Sequence, residues 1–211
     1  MFITIIIIIA TCIVSFLAFS NQKLINDLIF YPPAITQQKQ GYRFITCGFI
    51  HADVAHLLFN MYSFYIFGKA VEDAFVQIFS SKGAMLFVVL YFTALAVCLL
   101  PTYFNNKNNY YYKSLGASGA VSAVIFAYIF LEPTAKLELM FTIPMPAFIF
   151  GALYLAVSYY LDKRGGGNIN HSAHFWGAVY GIVFIIIASY LLSNFDPIRN
   201  FLLKIKFEYG R

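Results

Sequence analysis

Apolar residues in this chain come in long unbroken runs. They do not alternate, and they do not follow the every-third-and-fourth spacing of a half-buried helix. Six runs stand out, at residues 2–19, 54–71, 84–100, 115–131, 139–161 and 172–192. A hydrocarbon core about 30 Å thick takes roughly 20 apolar residues per helix. The pattern therefore predicts an all-α membrane protein: a six-transmembrane-helix bundle, a single domain over residues 1–211, with no soluble domain attached. The first run is longer than the apolar core of about 7–15 residues in a secretory leader, and no Lys or Arg precedes it. It is expected to be a retained helix. Pro144 and Pro146, near the start of the fifth run, each remove a backbone donor. That helix is expected either to begin after them or to be loosened and able to move sideways.

Composition supports the membrane reading. Hydrophobic residues make up 61% of the 211 positions and charged residues 11%, with a mean hydropathy of +0.73. Soluble domains carry about 25% charge; this chain has too little to cover a globule facing water. The 14 Lys and Arg divide evenly between the two sets of loops, so totals do not orient the bundle. The densest basic group is the C-terminal tail, which leans toward cytoplasmic termini. The net charge of +5 suits contact with anionic lipid heads. No basic–aromatic pattern points to nucleic acid. Cys12, Cys47 and Cys98 are odd in number and form no CxxC, so they read as packed apolar residues rather than a disulfide framework or zinc knuckle.

The connections differ in character. Residues 20–53 are rich in aromatic and apolar groups and contain Tyr31-Pro32-Pro33 and Gly41-Tyr42-Arg43, which suits a loop sunk into the interface. Residues 105–109 are Asn-rich and read as a surface turn. Residues 162–170 hold Gly165-Gly166-Gly167, a segment expected to be mobile.

The polar residues follow a parity. Runs two, four and six cross in the same direction, so their N-terminal ends share one face. His51, His56 and Asn60 lie on and before run two, Ser118 on run four, His171 and His174 on run six. The odd-numbered runs carry no comparable cluster. Ionisable groups are expensive in hydrocarbon and mark functional sites there. His56 and Asn60, four apart, share a helix stripe. Gly119, Ala123 and Ala127 make a small-residue row on run four, and Gly177 and Gly181 a GxxxG on run six, so these two helices can approach closely. His174 would then reach Ser118.

Serine is a weak nucleophile until a base takes its proton, and imidazole is the commonest partner. Hydrolysis also needs donors aimed at the developing oxyanion. His56 and Asn60 offer side-chain donors, and the Ser118 amide lies near a helix start, where N–H groups lack partners. No Asp or Glu lies inside the apolar body of a run, so the residues permit a Ser–His dyad rather than a triad.

Tyr42-Arg43, His51, His56-Leu57-Leu58-Phe59-Asn60, Gly116-Ala117-Ser118-Gly119 and Ala173-His174-Phe175-Trp176-Gly177 with Gly181 together resemble the rhomboid intramembrane serine proteases. GxSG alone is weak; GxSG, HxxxN and AHxxGxxxG in this order on alternating runs are specific. The resemblance implies a six-helix core with a water-filled cavity open to the outer face of a bacterial inner (plasma) membrane, with both termini inside. It implies Ser118 as nucleophile, His174 as general base, and His56, Asn60 and the Ser118 amide as the oxyanion site. Loop five and helix five would act as cap and gate for a single-pass transmembrane substrate, and no cofactor or metal would be needed. Some relatives carry an aromatic residue one turn after the serine, against which the base stacks. Here that position is Ser122, which leaves His174 to be held by Tyr62, Tyr180 or another ring. Glu72 matches an acidic position that is structural in the family.

Each residue also has a plainer role. Ser118 beside glycine could be a helix-packing serine, His174 a buried structural histidine, and Asn60 interhelical glue. His51 and His171 read as supports of the loops. Two other classes compete. Four histidines near one face could hold zinc, though no HExxH is present. A non-catalytic rhomboid-like protein could bind transmembrane clients, though such relatives usually lack the serine or the histidine. A small transporter fits poorly, since no intramembrane carboxylate marks an ion path.

Overall fold

The computed structural model describes residues 2–139, 143–165, 167 and 169–210. Its first helix shows at once which solvent the fold expects. In α1 (Phe2–Phe19) the buried stripe is Thr4, Ile7, Thr11, Ser15 and Ala18. The large apolar side chains Phe2, Ile6, Ile13, Phe16 and Leu17 point outward. In water that arrangement would be inside out. In a bilayer it is favourable, because lipid is as apolar as isoleucine and small residues let helices pack closely.

Three short helices follow, α2 (Gln22–Leu28), α3 (Pro32–Gln38) and α4 (Arg43–Thr46). Pro32 and Pro33 sit in the first turn of α3, where a missing N–H costs nothing. Arg43 is buried and donates through Nη1 to the carbonyls of Asn26 and Ile29, at 2.8 and 2.7 Å. It thereby folds the segment after α1 back on itself. A turn of 3-10 helix (Cys47–Phe49) leads to α5 (Val54–Phe79). This helix runs on past the predicted 54–71, and Glu72 in the added part accepts from the backbone of Ile3 and Thr4 and from Thr4 Oγ1. The start of α1 is pinned to α5 by that carboxylate.

The third run breaks in two. α6 (Gly83–Val97) ends in a turn, and α7 (Leu100–Asn106) restarts with Pro101 in its first turn. A proline there would clash with a continuous helix. The fourth run also begins later than its apolar composition implied, since α8 is Ser118–Leu131. Gly116 has φ of +114°, a conformation that ends any preceding helix and favours glycine. The segment before α8 is held by an antiparallel bridge between Phe30 and Ser114 and by Gly116 N–H on the Cys47 carbonyl at 2.9 Å.

The fifth run, read as 139–161, is helical only beyond Pro144 and Pro146, the first of the two courses expected for it. Its helix does not start near residue 139. Lys136–Leu139 (β1) and Ile143–Pro146 (β2) form an antiparallel hairpin, and α9 is Ala147–Arg164. Apolar content alone does not separate a strand from a helix start. Pro144 and Pro146 do, because neither can donate within a helix. The neck of the hairpin then holds the base of α9: Ala147 N–H bonds the Ala135 carbonyl and Phe148 N–H that of Pro133. Of the predicted glycine segment, Gly165 and Gly167 have positive φ, while Gly166 lies outside the described residues.

α10 (His171–Leu192) and α11 (Pro197–Tyr209) complete the chain. α8 is the central helix, buried on nearly every side, and packs most closely on α10 and then on α5 and α6. At the C-terminal end of α8 the carbonyl of Leu131 accepts from Asn200 Nδ2 and Lys204 Nζ, at 3.0 and 3.1 Å, and Lys204 also pairs with Glu132. So the basic tail caps the end of α8 opposite Ser118. Among the described residues, α1, α10 and the run Val54–Asn106 are apolar and long enough to cross a membrane, and α8 is shorter. The whole is a bundle of membrane helices.

Candidate active site

Ser118 is the first residue of α8 and His174 lies one turn into α10. Their helices meet almost backbone to backbone. A Cβ built on Gly177 would overlap the carbonyl of Gly119, and one on Gly181 that of Ala123. With nothing between the helices, the histidine reaches across: His174 Nε2 lies 2.7 Å from Ser118 Oγ. The distance is that of a hydrogen bond, and an imidazole so placed is able to take a serine proton.

The start of α10 is fixed by Asn170. Its Oδ1 accepts from Ala173 N–H at 3.0 Å and from Thr102 Oγ1 at 3.1 Å, which caps the helix and ties it to α7. His171 stands edge-on to His174, ring centroids 5.9 Å apart.

His56 approaches from the other side. Its Nδ1 accepts from Ala52 N–H at 3.5 Å, which leaves the proton on Nε2. The Nε2 edge of the ring lies against Gly116, close enough that a side chain there would be crowded. Gly116 is therefore needed twice, for its backbone and for the imidazole above it. Asn60, one turn deeper on the same stripe, is buried and donates through Nδ2 to the His56 carbonyl at 2.9 Å. An amide nitrogen has a second proton to offer. The N–H of Ser118, in the first turn of α8, has no carbonyl one turn earlier within the helix to bond.

His51 stands behind the segment that leads into Ser118. Ser15 Oγ lies 2.9 Å from the Phe49 carbonyl and 3.0 Å from His51 Nδ1. Ala117 N–H points at His51 Nε2 at 3.4 Å. One tautomer satisfies all three: Nδ1–H donates to Ser15, whose hydroxyl donates to Phe49, while Nε2 accepts from Ala117. Burial, and after it the neighbouring His56, push the His51 imidazole down to about 3 from its ordinary 6.5, so the neutral ring this chain requires is the stable form. An unfolded chain takes up the proton near 6.5 and the folded one only near 3. Stability from His51 is thus whole above about 6.5 and drains away as pH falls toward 3. Thermal melts of the purified protein between pH 7 and pH 4 should show this loss, with a shallower slope in His51→Gln.

All six sequence-predicted polar residues thus gather at one end of α5, α8 and α10. Sequence reasoning left the ring beside His174 open between Tyr62, Tyr180 and another. Tyr180 bonds Thr93 through its hydroxyl at 2.7 Å; the ring that lies roughly parallel to His174 belongs to Tyr154 of α9. The histidines stand as two pairs, and among the described residues no three His, Cys, Asp or Glu side chains group as a metal site.

Residues 38–191 match the family described as Rhomboid domain. RHOMBOID-like protein 12, mitochondrial, of Arabidopsis thaliana is 29% identical over 78% of this chain and 51% of its own length. Rhomboid protease GlpG of Haemophilus influenzae is 26% identical over 88% of this chain and 90% of its own. The presenilin-associated rhomboid-like protein, mitochondrial, of Bos taurus is 29% identical over 71% and 39%, respectively. This chain therefore spans about half or less of the two mitochondrial relatives and nearly all of the bacterial one.

Proposed function

Because the chain belongs to the rhomboid family, we propose that it is an intramembrane serine endopeptidase with Ser118 as nucleophile and His174 as general base. The observation that carries this reading is the 2.7 Å contact between His174 Nε2 and Ser118 Oγ. A serine kept only for helix packing does not require an imidazole at that atom.

Depth supports the same reading. α8 has 14 residues, about 21 Å at 1.5 Å per residue, against a hydrocarbon core of about 30 Å. With its C-terminal end held by the basic tail at one face, its N-terminal end stops short of the other. Ser118 then sits below the surface, where a membrane-embedded peptide bond can be brought to it. A substrate helix enters beside α9 and unwinds its upper part, which exposes a carbonyl that an intact helix hides. Ser118 Oγ adds to the carbonyl carbon as His174 takes the proton. The oxyanion is held by His56, Asn60 and the Ser118 N–H. Collapse expels the amine, which leaves with the proton from His174, and water then hydrolyses the acyl ester with His174 again as base. None of these steps calls for a cofactor.

The substrates we propose are single-pass membrane proteins, and the membrane a bacterial plasma membrane with the site facing outward. Arg199, Lys204 and Lys206 lie on α11, at the end of α8 away from Ser118, which agrees with a cytoplasmic basic tail.

A fluorophosphonate probe on detergent-purified protein tests the reading. Labelling that is lost in both Ser118→Ala and His174→Ala supports an activated serine. A folded protein that neither labels nor cleaves a model transmembrane substrate would instead be a binder of transmembrane clients. Asn60→Ala should slow cleavage by about 10- to 1,000-fold, the scale for losing one oxyanion donor; an unchanged rate would remove Asn60 from the oxyanion site.

A further inference from the structure

Ser122 lies one turn after Ser118 on α8, on the same stripe, and is buried. A serine there is too short to support the imidazole of His174. Its hydroxyl instead lies 2.7 Å from the hydroxyl of Tyr154, which comes from α9. The Tyr154 ring is wedged against Phe126, centroids 5.4 Å apart, and Phe150 at 6.2 Å. Its free side turns to His174, at 6.5 Å and 29° between planes. One side chain therefore joins α8, α9 and the base.

We propose that Tyr154 is a positioning residue for His174, anchored by Ser122. The ring that sets the imidazole plane is supplied in this chain by α9, and the hydroxyl contact fixes where that ring stands. Two features make the arrangement specific. The hydroxyl pair holds the far end of the tyrosine, so the ring cannot swing about its Cα–Cβ bond without breaking it. Phe126 and Phe150 pack against the same ring and limit its movement. The base then has a roughly parallel aromatic ring beside it, and its Nε2 is left aimed at Ser118. This inference rests on the proteolytic reading for its kinetic consequence but not for its structural one.

The test compares Tyr154→Phe, Tyr154→Leu, Ser122→Ala and the double variant Ser122→Tyr/Tyr154→Leu, which moves a ring back onto α8. Cleavage of a model transmembrane substrate in liposomes gives kcat and KM. The His174 ring proton shifts, assigned by NMR in labelled protein, report the stacking whether or not the protein cleaves. Tyr154→Leu should lower kcat by about 10- to 100-fold, the cost of a misplaced catalytic group, with KM little changed and the His174 ring-current shift lost. Tyr154→Phe and Ser122→Ala keep a ring and should lose less, and the double variant should recover part of the activity lost in Tyr154→Leu. The proposal is overturned if His174 shifts are the same in Tyr154→Leu as in the parent. It is also overturned if Tyr154→Phe and Tyr154→Leu lose activity equally and the double variant recovers none, which is the mark of a purely structural tyrosine. A parent protein that shows the ring-current shift yet neither labels nor cleaves would sink the protease reading and leave the placement of His174 intact.

Discussion

Cleavage of a transmembrane substrate should vanish in Ser118→Ala and in His174→Ala, with each variant eluting and melting like the parent. Removing a serine nucleophile or its base costs on the order of 10⁶-fold in enzymes that use the pair as a unit, so either variant should fall below background. The structure gives the reason the fold survives. Ser118 Oγ and His174 Nε2 are bonded to each other, and the helix contact beneath them is made by Gly119, Ala123, Gly177 and Gly181. Because the residues act together, the double variant should be no worse than either single one. Substrate cleavage by purified protein in liposomes, against a blank, decides it. Residual turnover by Ser118→Ala at even a hundredth of the parent rate would mean that another group attacks.

The second large effect should come from a residue with no chemistry. Gly181→Val should both destabilise the protein and silence it, and Gly177→Val should do the same. A Cβ at either position overlaps backbone rather than a flexible side chain, so α8 and α10 must part. Overpacking of this kind typically costs about 1–3 kcal/mol. A separation of about 1 Å at the pair can cost 100-fold in rate by misalignment alone. Gly41→Ala is the control, since an added methyl there meets nothing within 4 Å. Melting temperature and cleavage rate measured on the three variants separate the two contributions. A Gly181→Val protein that cleaves normally would show that the dyad does not depend on this contact.

How much of this was legible follows from what each residue leaves in the sequence. Histidine, asparagine and a GxSG in apolar runs are conspicuous because hydrocarbon makes them costly, and helix periodicity then places them on matching stripes. The close pairing of α8 and α10 was equally visible, as rows of small residues. Tyr154 was not. It is one of 16 tyrosines in a chain that is 19% aromatic, and its role arises from a hydroxyl contact between two helices, which no spacing encodes. The hairpin before α9 was half hidden: β2 is apolar and lay inside the fifth run, while the alternation of Lys136-Leu137-Glu138-Leu139 in β1 and the two prolines of β2 were the available signals. α11 escaped because it is too polar to read as a membrane run, and it is held by scattered long-range contacts: Asn200 and Lys204 on the Leu131 carbonyl, Phe201 on Phe130 and Tyr209 on Phe148. The short helices between α1 and α5 depend on Arg43 reaching carbonyls 14 and 17 residues away, again a long-range bond.

Ser15 of α1 touches His51, and His51 in turn touches the backbone just before Ser118. The segment shared with the family begins at residue 38, after α1 has ended. A polypeptide trimmed to that matched segment would keep every residue of the proposed chemistry and still lose the outer post of the strut behind Ser118. If the proposed chemistry holds, the smallest working part of this protein is therefore larger than the segment that matches the family.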